Sequence, residues 1–437
     1  MINVIGVSSR CFILCIDMMS DIQMDAHKTQ LLKWIDEDRE KLISFLSDFI
    51  QAKSPNPPGD TRKAATHITK FLDQNKLPYR TIAPMEEMVN IVGSFDGGAE
   101  GKHLVLNGHI DVYPVGDAGE WMHDPWGGEV VEGKVFGRGS NDMKAGTTAS
   151  IFTYYYLHKI REHLKGKLTL TCVSDEETFG PWGARYLMKH HPEVLGDTLL
   201  NGEPCAHQIR FGEKGIIWLK FTISTQGAHG AYEHASPSAT KIAAKLMLEL
   251  DEKIRTIEYS SPLNVRAALE EARDIIEEGY GPGAFETLQR TTINFGTIHG
   301  GLKVNMIPGT VEIEADIRLP VGQTKEEVLK VVEEVAVKYP EVSYEEMNYT
   351  APSHCDPNGE MVGILQRNVE LVEGHTPKTL IAMGGTDARL WRYEGIPAYV
   401  YGPYAKGMGS TDDYVEVDEF IDIVKVHVLS AYDYLTK

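Results

Sequence analysis

Cysteine is scarce in this sequence, and so is positive charge. The five cysteines stand at Cys11, Cys15, Cys172, Cys205 and Cys355. An odd, widely scattered set makes no disulfide framework and reads as free thiols in a reducing compartment. Cys11 and Cys15 are close together, but no second Cys or His pair completes a zinc-ribbon spacing. Lysine and arginine number 43 against 63 aspartates and glutamates, a formal net charge of −20. A surface of that sign repels phosphates, which excludes nucleic acid as a natural partner and disfavours anionic membranes. No stretch approaches the ~18 apolar residues that cross a bilayer. The apolar run Cys11–Ile16 is short, is interrupted by Asp17 and lacks a small-residue cleavage site. Residues 1–25 therefore read as a disordered extension, not a signal peptide, and the expected location is cytoplasmic. There is no internal repeat or low-complexity tract.

What is present has the composition of a folded protein, 42% hydrophobic and 24% charged. At 437 residues the chain is too long for one core, so two domains are expected. Apolar residues at helical spacing run from Leu31 to Ile50 and stop at Ser54-Pro55-Asn56-Pro57-Pro58-Gly59; Thr66 to Leu77 is a second helix. Short, nearly continuous apolar runs at Asn90–Gly93, His103–Asn107 and Leu168–Val173 suit strands covered on both faces, with Ala145–Glu162 as a covering helix. Near Lys214 the pattern changes. Gly215–Thr225, Thr291–Ile298 and Gly309–Leu319 read as strands, Thr240–Glu258 and Thr324–Lys338 as helices. The first pattern resumes near Ala351. The expected fold is α/β: a mixed-sheet catalytic domain with helices on both faces, residues 26–213 and 351–437, interrupted by a smaller α+β domain, residues 214–350.

Four points place ligand-type side chains at probable strand ends or in glycine-rich loops. They are Gly108-His109-Ile110-Asp111, the loop from Gly137 to Gly146 that holds Asp142 ahead of a helix, Asp175-Glu176-Glu177, and Gly202-Glu203-Pro204. Each alone has an ordinary explanation: a structural histidine, a helix cap, or a solvated acidic turn. Together they lie where open α/β sheets gather their ligands, and crowded carboxylates resist joint ionisation unless something positive neutralises them. Histidine plus carboxylates without cysteine is a ligand set for zinc or manganese in hydrolysis.

These segments, with Gly384-Gly385-Thr386-Asp387-Ala388-Arg389 and the stretch from Gly296 to Pro308, resemble the M20 metallopeptidases from about Leu31 to the C-terminus. The resemblance implies that His109, Asp142 and Glu203 hold a first divalent metal (zinc, manganese or cobalt), that Asp142 bridges to a second, and that Glu177 ligates the second. It implies Glu176 as the general base and Asp111 as the acid that orients His109. The inserted domain is then a dimerisation lid, closing about hinges near Lys214 and Ala351 in a homodimer. His229, in Gly227-Ala228-His229-Gly230, matches the residue that polarises the scissile carbonyl, often in the partner's site. Asn305, Arg318, Lys214 and Thr386 match contacts to the substrate, a small carboxylate-bearing amide.

The sequence departs from the family at one point. The last ligand of the second metal is ordinarily a histidine four residues before the acid that precedes Tyr414-Val415; counting back from Asp413 reaches Gly409. One tightly bound metal is therefore expected, with the second site weak, empty or rebuilt by Ser410, Thr411 or Asp412. The leading expectation is hydrolysis of an N-acyl or peptide bond. Cleavage of a non-peptide C–N bond, such as an aryl amine or carbamate, and a non-catalytic relative stay open beside it.

Overall fold

The computed structural model describes residues 25–405 and 407–437. The expected extension over 1–25 lies outside them except at Asp25. That residue belongs to the fold: its carboxylate caps the first helix through His27 N and accepts from the Tyr432 hydroxyl at 2.7 Å.

The larger sheet has nine strands. Those that position the site are β1 (Tyr79–Ile82), β2 (Asn90–Asp96), β3 (Ala99–His109), β4 (Lys165–Val173), β5 (Thr198–Asn201) and β6 (Ile209–Glu213). β3 lies between β4 and β5 and runs parallel to both, with Leu106 opposite Leu170 on one side and Leu200 on the other. Leu104, Leu106, Leu168, Leu170, Leu199 and Leu200 are all wholly buried, because helices cover both faces. Each contributes roughly 1.5–3 kcal/mol by leaving water. The helix α1 (Ala145–Lys159) packs against the C-terminal helix Val417–Thr436 and is buried from Ala145 through Tyr154, so it shows no amphipathic stripe. Phe45 meets Phe71 and Phe152 edge-on, with centroids 5.1 and 5.4 Å away. Such pairs add about 0.5–1.5 kcal/mol each beyond area burial.

A second core lies within 214–350. β7 (Gly215–Ser224), β8 (Thr292–Gly300), β9 (Thr310–Leu319) and β10 (Val342–Thr350) form an antiparallel sheet in the order β8-β9-β7-β10. Along β9 the burial alternates: Val311, Ile313, Ala315, Ile317 and Leu319 face α2 (Ala239–Arg255) and a helix over Lys325–Ala336, while Glu312, Glu314, Asp316 and Arg318 take the open face.

Not all of 214–350 belongs to this second core. Between α2 and β8 lie α3 (Leu263–Glu271), α4 (Arg273–Tyr280) and α5 (Ala284–Leu288). Their buried residues Val265, Leu269, Ile276, Phe285 and Leu288, with Val321 further on, join the larger core instead. Apolar spacing shows that one helix face is covered, but not by which core.

Candidate active site

β3 ends in His109 and leads into Asp111, β4 leads into Asp175-Glu176-Glu177, and β5 leads into Gly202-Glu203. Because the three strands are parallel, these ends lie side by side. α1 begins against them, with Asp142 in an irregular turn just ahead of it. The approach is backbone to backbone: a Cβ on Gly146 would fall 2.0 Å from the carbonyl oxygen of Gly202, and one on Gly108 would fall 2.4 Å from Thr147 Oγ1. Only glycine permits that spacing, and it brings Asp142 and Glu203 onto the same histidine.

His109 Nε2 lies 3.1 Å from Asp142 Oδ1 and 3.4 Å from Glu203 Oε1. Ligand atoms of His109, Asp142 and Glu177 fall within 4.8 Å of one another, as do those of His109, Glu176 and Glu203. On the other side of the ring, Nδ1 donates to the main-chain carbonyl of Asp111 at 2.8 Å. A carbonyl can only accept, so Nδ1 carries a proton and Nε2 is the nitrogen that faces the acids, a donor to them while the ring is charged and a ligand atom when it is neutral. Asp111 thus orients His109, but through its carbonyl; its carboxylate is 3.7 Å from the ring. That carboxylate accepts instead from Asn56 Nδ2 at 2.9 Å and from the amides of Glu176 and Glu177 at 3.3 and 3.2 Å, fixing the turn that carries both glutamates. Asp175 stands outside the ligand ring and shapes the following loop through Thr178 Oγ1 and Trp182 N.

The charges in this cluster are unbalanced. Burial lifts Glu176 and Glu177 well above the usual carboxylate range, and neighbouring acids (Asp387 and Glu203 for the first, Asp142 for the second) add to it. Burial and Asp142 push Glu203 up to about 7. Burial would pull His109 down, yet Glu203, Asp142 and Asp111 outweigh it and hold the ring well above its ordinary value. Glu177 Oε1 is buried with no hydrogen-bond partner. An orphaned carboxylate oxygen among oxygen and nitrogen donors, with no thiolate, fits a divalent cation.

The other expected site residues are distributed unevenly. Lys214 is buried and its ammonium donates to the carbonyls of Thr287 and Arg290, both at 2.7 Å; burial pulls it down to about 7. Thr386 donates its amide and hydroxyl to Glu213. Thr386 is thereby tied to Glu213, while Lys214, bonded to those two carbonyls, also lines the cleft that Arg318 reaches. Arg318 reaches the cleft beside Met383 and Gly384, with its Nε held by Asp316 at 2.9 Å. His229 and Asn305 are exposed on the inserted domain, where Gly230 N donates to the Asn305 carbonyl. Among the described residues, no hydrogen bond or ion pair joins either to the metal-type cluster. A side chain at Gly409 would point into open space. Asp412 Oδ1 is taken up by the amides of Met122 and His123.

Two residues without an assigned role prove central. Asn56 bridges Asp111 and Asp175. Arg389, buried, places NH1 3.3 Å from Glu176 Oε1, donates to the Thr386 carbonyl and stacks its guanidinium 4.7 Å from the Phe179 ring centroid. The motif Gly384-to-Arg389 was the available signal for the second.

Fold and cluster together define a metal-dependent hydrolase acting on C–N bonds. The sequence profile of peptidase family M20/M25/M40 matches residues 105–433, and the chain belongs to that family. It is 25% identical over 421 residues to an uncharacterised metallohydrolase of Methanocaldococcus jannaschii, covering 89% of this chain and 98% of the relative. It is 27% identical over 343 residues to a succinyl-diaminopimelate desuccinylase of Cereibacter sphaeroides, covering 76% of this chain and 83% of the relative. The crystal structure of an M20 family metallo-carboxypeptidase from Sulfolobus solfataricus superposes with a TM-score of 0.75 at 17% identity, covering 90% of this chain and 99% of that one; at that identity the likeness is one of fold.

Proposed function

We propose that the protein hydrolyses an amide bond, N-acyl or peptide, in a small substrate carrying a carboxylate, with Glu176 as general base. The observation that carries this reading is the position of Glu176: buried, within ligand distance of His109 and Glu203, and braced by Arg389. His109, Asp142 and Glu203 would hold the tight metal ion, with Glu177 beside Asp142 toward a second. A divalent ion there supplies a Lewis acid and a water of lowered pKa. Glu176 takes a proton from the attacking water and returns it to the leaving amine, and Asp111 keeps that carboxylate aimed through the Glu176 amide. Gly409, with no side chain to ligate, supports one tight ion over two.

The inserted domain supports a homodimer, and the scattered cysteines, none paired among the described residues, support a cytoplasmic location. His229 and Asn305 stand on its exposed tip near Tyr232, Leu302, Val304 and Met306, large apolar side chains left uncovered by this chain. In this reading His229 polarises the carbonyl in the partner's site, and Arg318 takes the substrate carboxylate. The test is Glu176→Ala: turnover should fall by about 10²- to 10⁴-fold with metal content unchanged. Undiminished hydrolysis by that variant would overturn the assignment.

A further inference from the structure

A cavity of about 550 Å³ opens between β6, α4 and the loop through Tyr404 and Ala405. It lies on the Glu203 side of the metal-type cluster. Ala206, Gln208 and Arg210 in its wall follow Glu203 along the chain, and the backbone of Gly402, just before Tyr404, abuts the Glu203 carbonyl. Asn141, the neighbour of Asp142, donates to the Tyr404 carbonyl. The Arg210 charge is close enough to act on both Asp142 and Glu203.

Arg210 is the unusual member of this wall. Among the described residues, the buried arginines Arg138, Arg389 and Arg392 face Asp413, Glu176 and Glu213 at 3.2–3.3 Å. That is the rule for guanidinium groups withdrawn from water. Arg210, on β6 and only partly buried, has no ion pair with any described carboxylate. Its Nη2 donates to the Tyr280 hydroxyl at 2.8 Å, and its Nε, like those of Arg138, Arg290 and Arg389, is buried with no hydrogen-bond partner among the described residues. The rest of the cavity is lined by Ile275, Leu380 and the ring of Tyr280, apolar surface suited to a short carbon chain. Glu278, exposed at the rim, repels a dianion and so favours a carboxylate over a phosphate.

We propose that this cavity is a carboxylate-binding subsite anchored by Arg210, distinct from the Arg318 position. The ligand class is then a carboxylate on a short apolar chain, held apart from the cleft that Arg318 lines. This rests on the hydrolase reading for its catalytic meaning, but not for its binding chemistry.

The test titrates the metal-loaded protein calorimetrically with hexanoate, an acid on an apolar tail, and with hexanamide, its uncharged counterpart. Wild type should prefer the acid, and Arg210→Gln should shrink that preference by about 10- to 100-fold, the range of one charge-assisted hydrogen-bond pair. Ile275→Trp, which fills the cavity and leaves the arginine in place, should weaken hexanoate binding to a similar extent and guards against a misfolded arginine variant. Carboxylate binding at the metal would be indifferent to Ile275→Trp, and an acid preference unaltered by both changes overturns the proposal. If no C–N bond is cleaved but hexanoate binding still depends on Arg210, the hydrolase reading falls and the subsite stands. If Glu176-dependent hydrolysis stands while binding ignores Arg210, the subsite alone falls.

Discussion

Arg389 NH1 lies 3.3 Å from Glu176 Oε1, with both residues buried. This contact joins the first turn of the helix Ala388–Tyr393 to the turn after β4, segments more than two hundred residues apart. It gives Glu176, the proposed general base, a fixed orientation as well as a neutralising charge. Replacing Arg389 with Met should lower turnover by about 10²-fold, as loss of a preorganised contact does, while metal content stays at the wild-type level. Equal loss of turnover and metal would mean that Arg389 holds the cluster together and does not position the base.

Gly409 adopts φ +74°, and a Cβ there would meet nothing within 4 Å. Protein purified without added metal should carry one ion per chain by elemental analysis. Gly409→His should add a second zinc equivalent at least about 10-fold tighter than in wild type, at a backbone strain of roughly 1–2 kcal/mol. Two tightly held ions in the unaltered protein would show that the second site has been rebuilt from other groups.

His229 is exposed and makes no contact with the ligand cluster of its own chain. His229→Ala should lower turnover by about 10²- to 10³-fold with unchanged circular dichroism and metal content. Mixing this variant with Glu176→Ala should restore part of the activity, because a mixed dimer contains one site with both residues. Absence of recovery would place His229 in its own chain's site, or outside the mechanism.

Away from the active site, His207 donates to Glu373 at 2.6 Å and to Glu419 at 2.8 Å. Burial pulls its ring down, but these two hydrogen bonds outweigh it and raise the imidazolium to about 9. A histidine raised in the folded state stabilises fully below its unfolded value near 6.5, and that contribution fades as pH rises through about 9. Urea melts of wild type should therefore lose on the order of 3 kcal/mol between those limits. His207→Gln should be less stable at pH 6 and should lack this part of the pH dependence; parallel profiles would rule the clamp out.

Much of the site was legible because its signals are local. A strand running into His-x-Asp, glycines around Asp142 and adjacent glutamates after β4 each state their geometry within a few residues. The protein partners of Lys214 and Thr386 were not legible, because what occupies a side chain depends on residues such as Thr287 and Glu213 that arrive from elsewhere. The same holds for Asp111, whose carbonyl and carboxylate divide two tasks that spacing alone merges. The placement of α3–α5 was hidden for a related reason: an amphipathic helix declares that it has a buried face but not its host.

That placement bears on how the two halves of the molecule can move. An inserted domain needs only two connections to its parent, and two connections permit both swing and twist. Here the chain also leaves the second core after α2, returns at β8 and anchors Val321 in the larger core, while Lys214 ties the first connection to the end of α5. A body attached at several points along one edge turns like a door, about a line. Any turn about that line would carry the open face of β9, with Arg318, past fewer obstacles than a slide, which Lys214 and Val321 oppose.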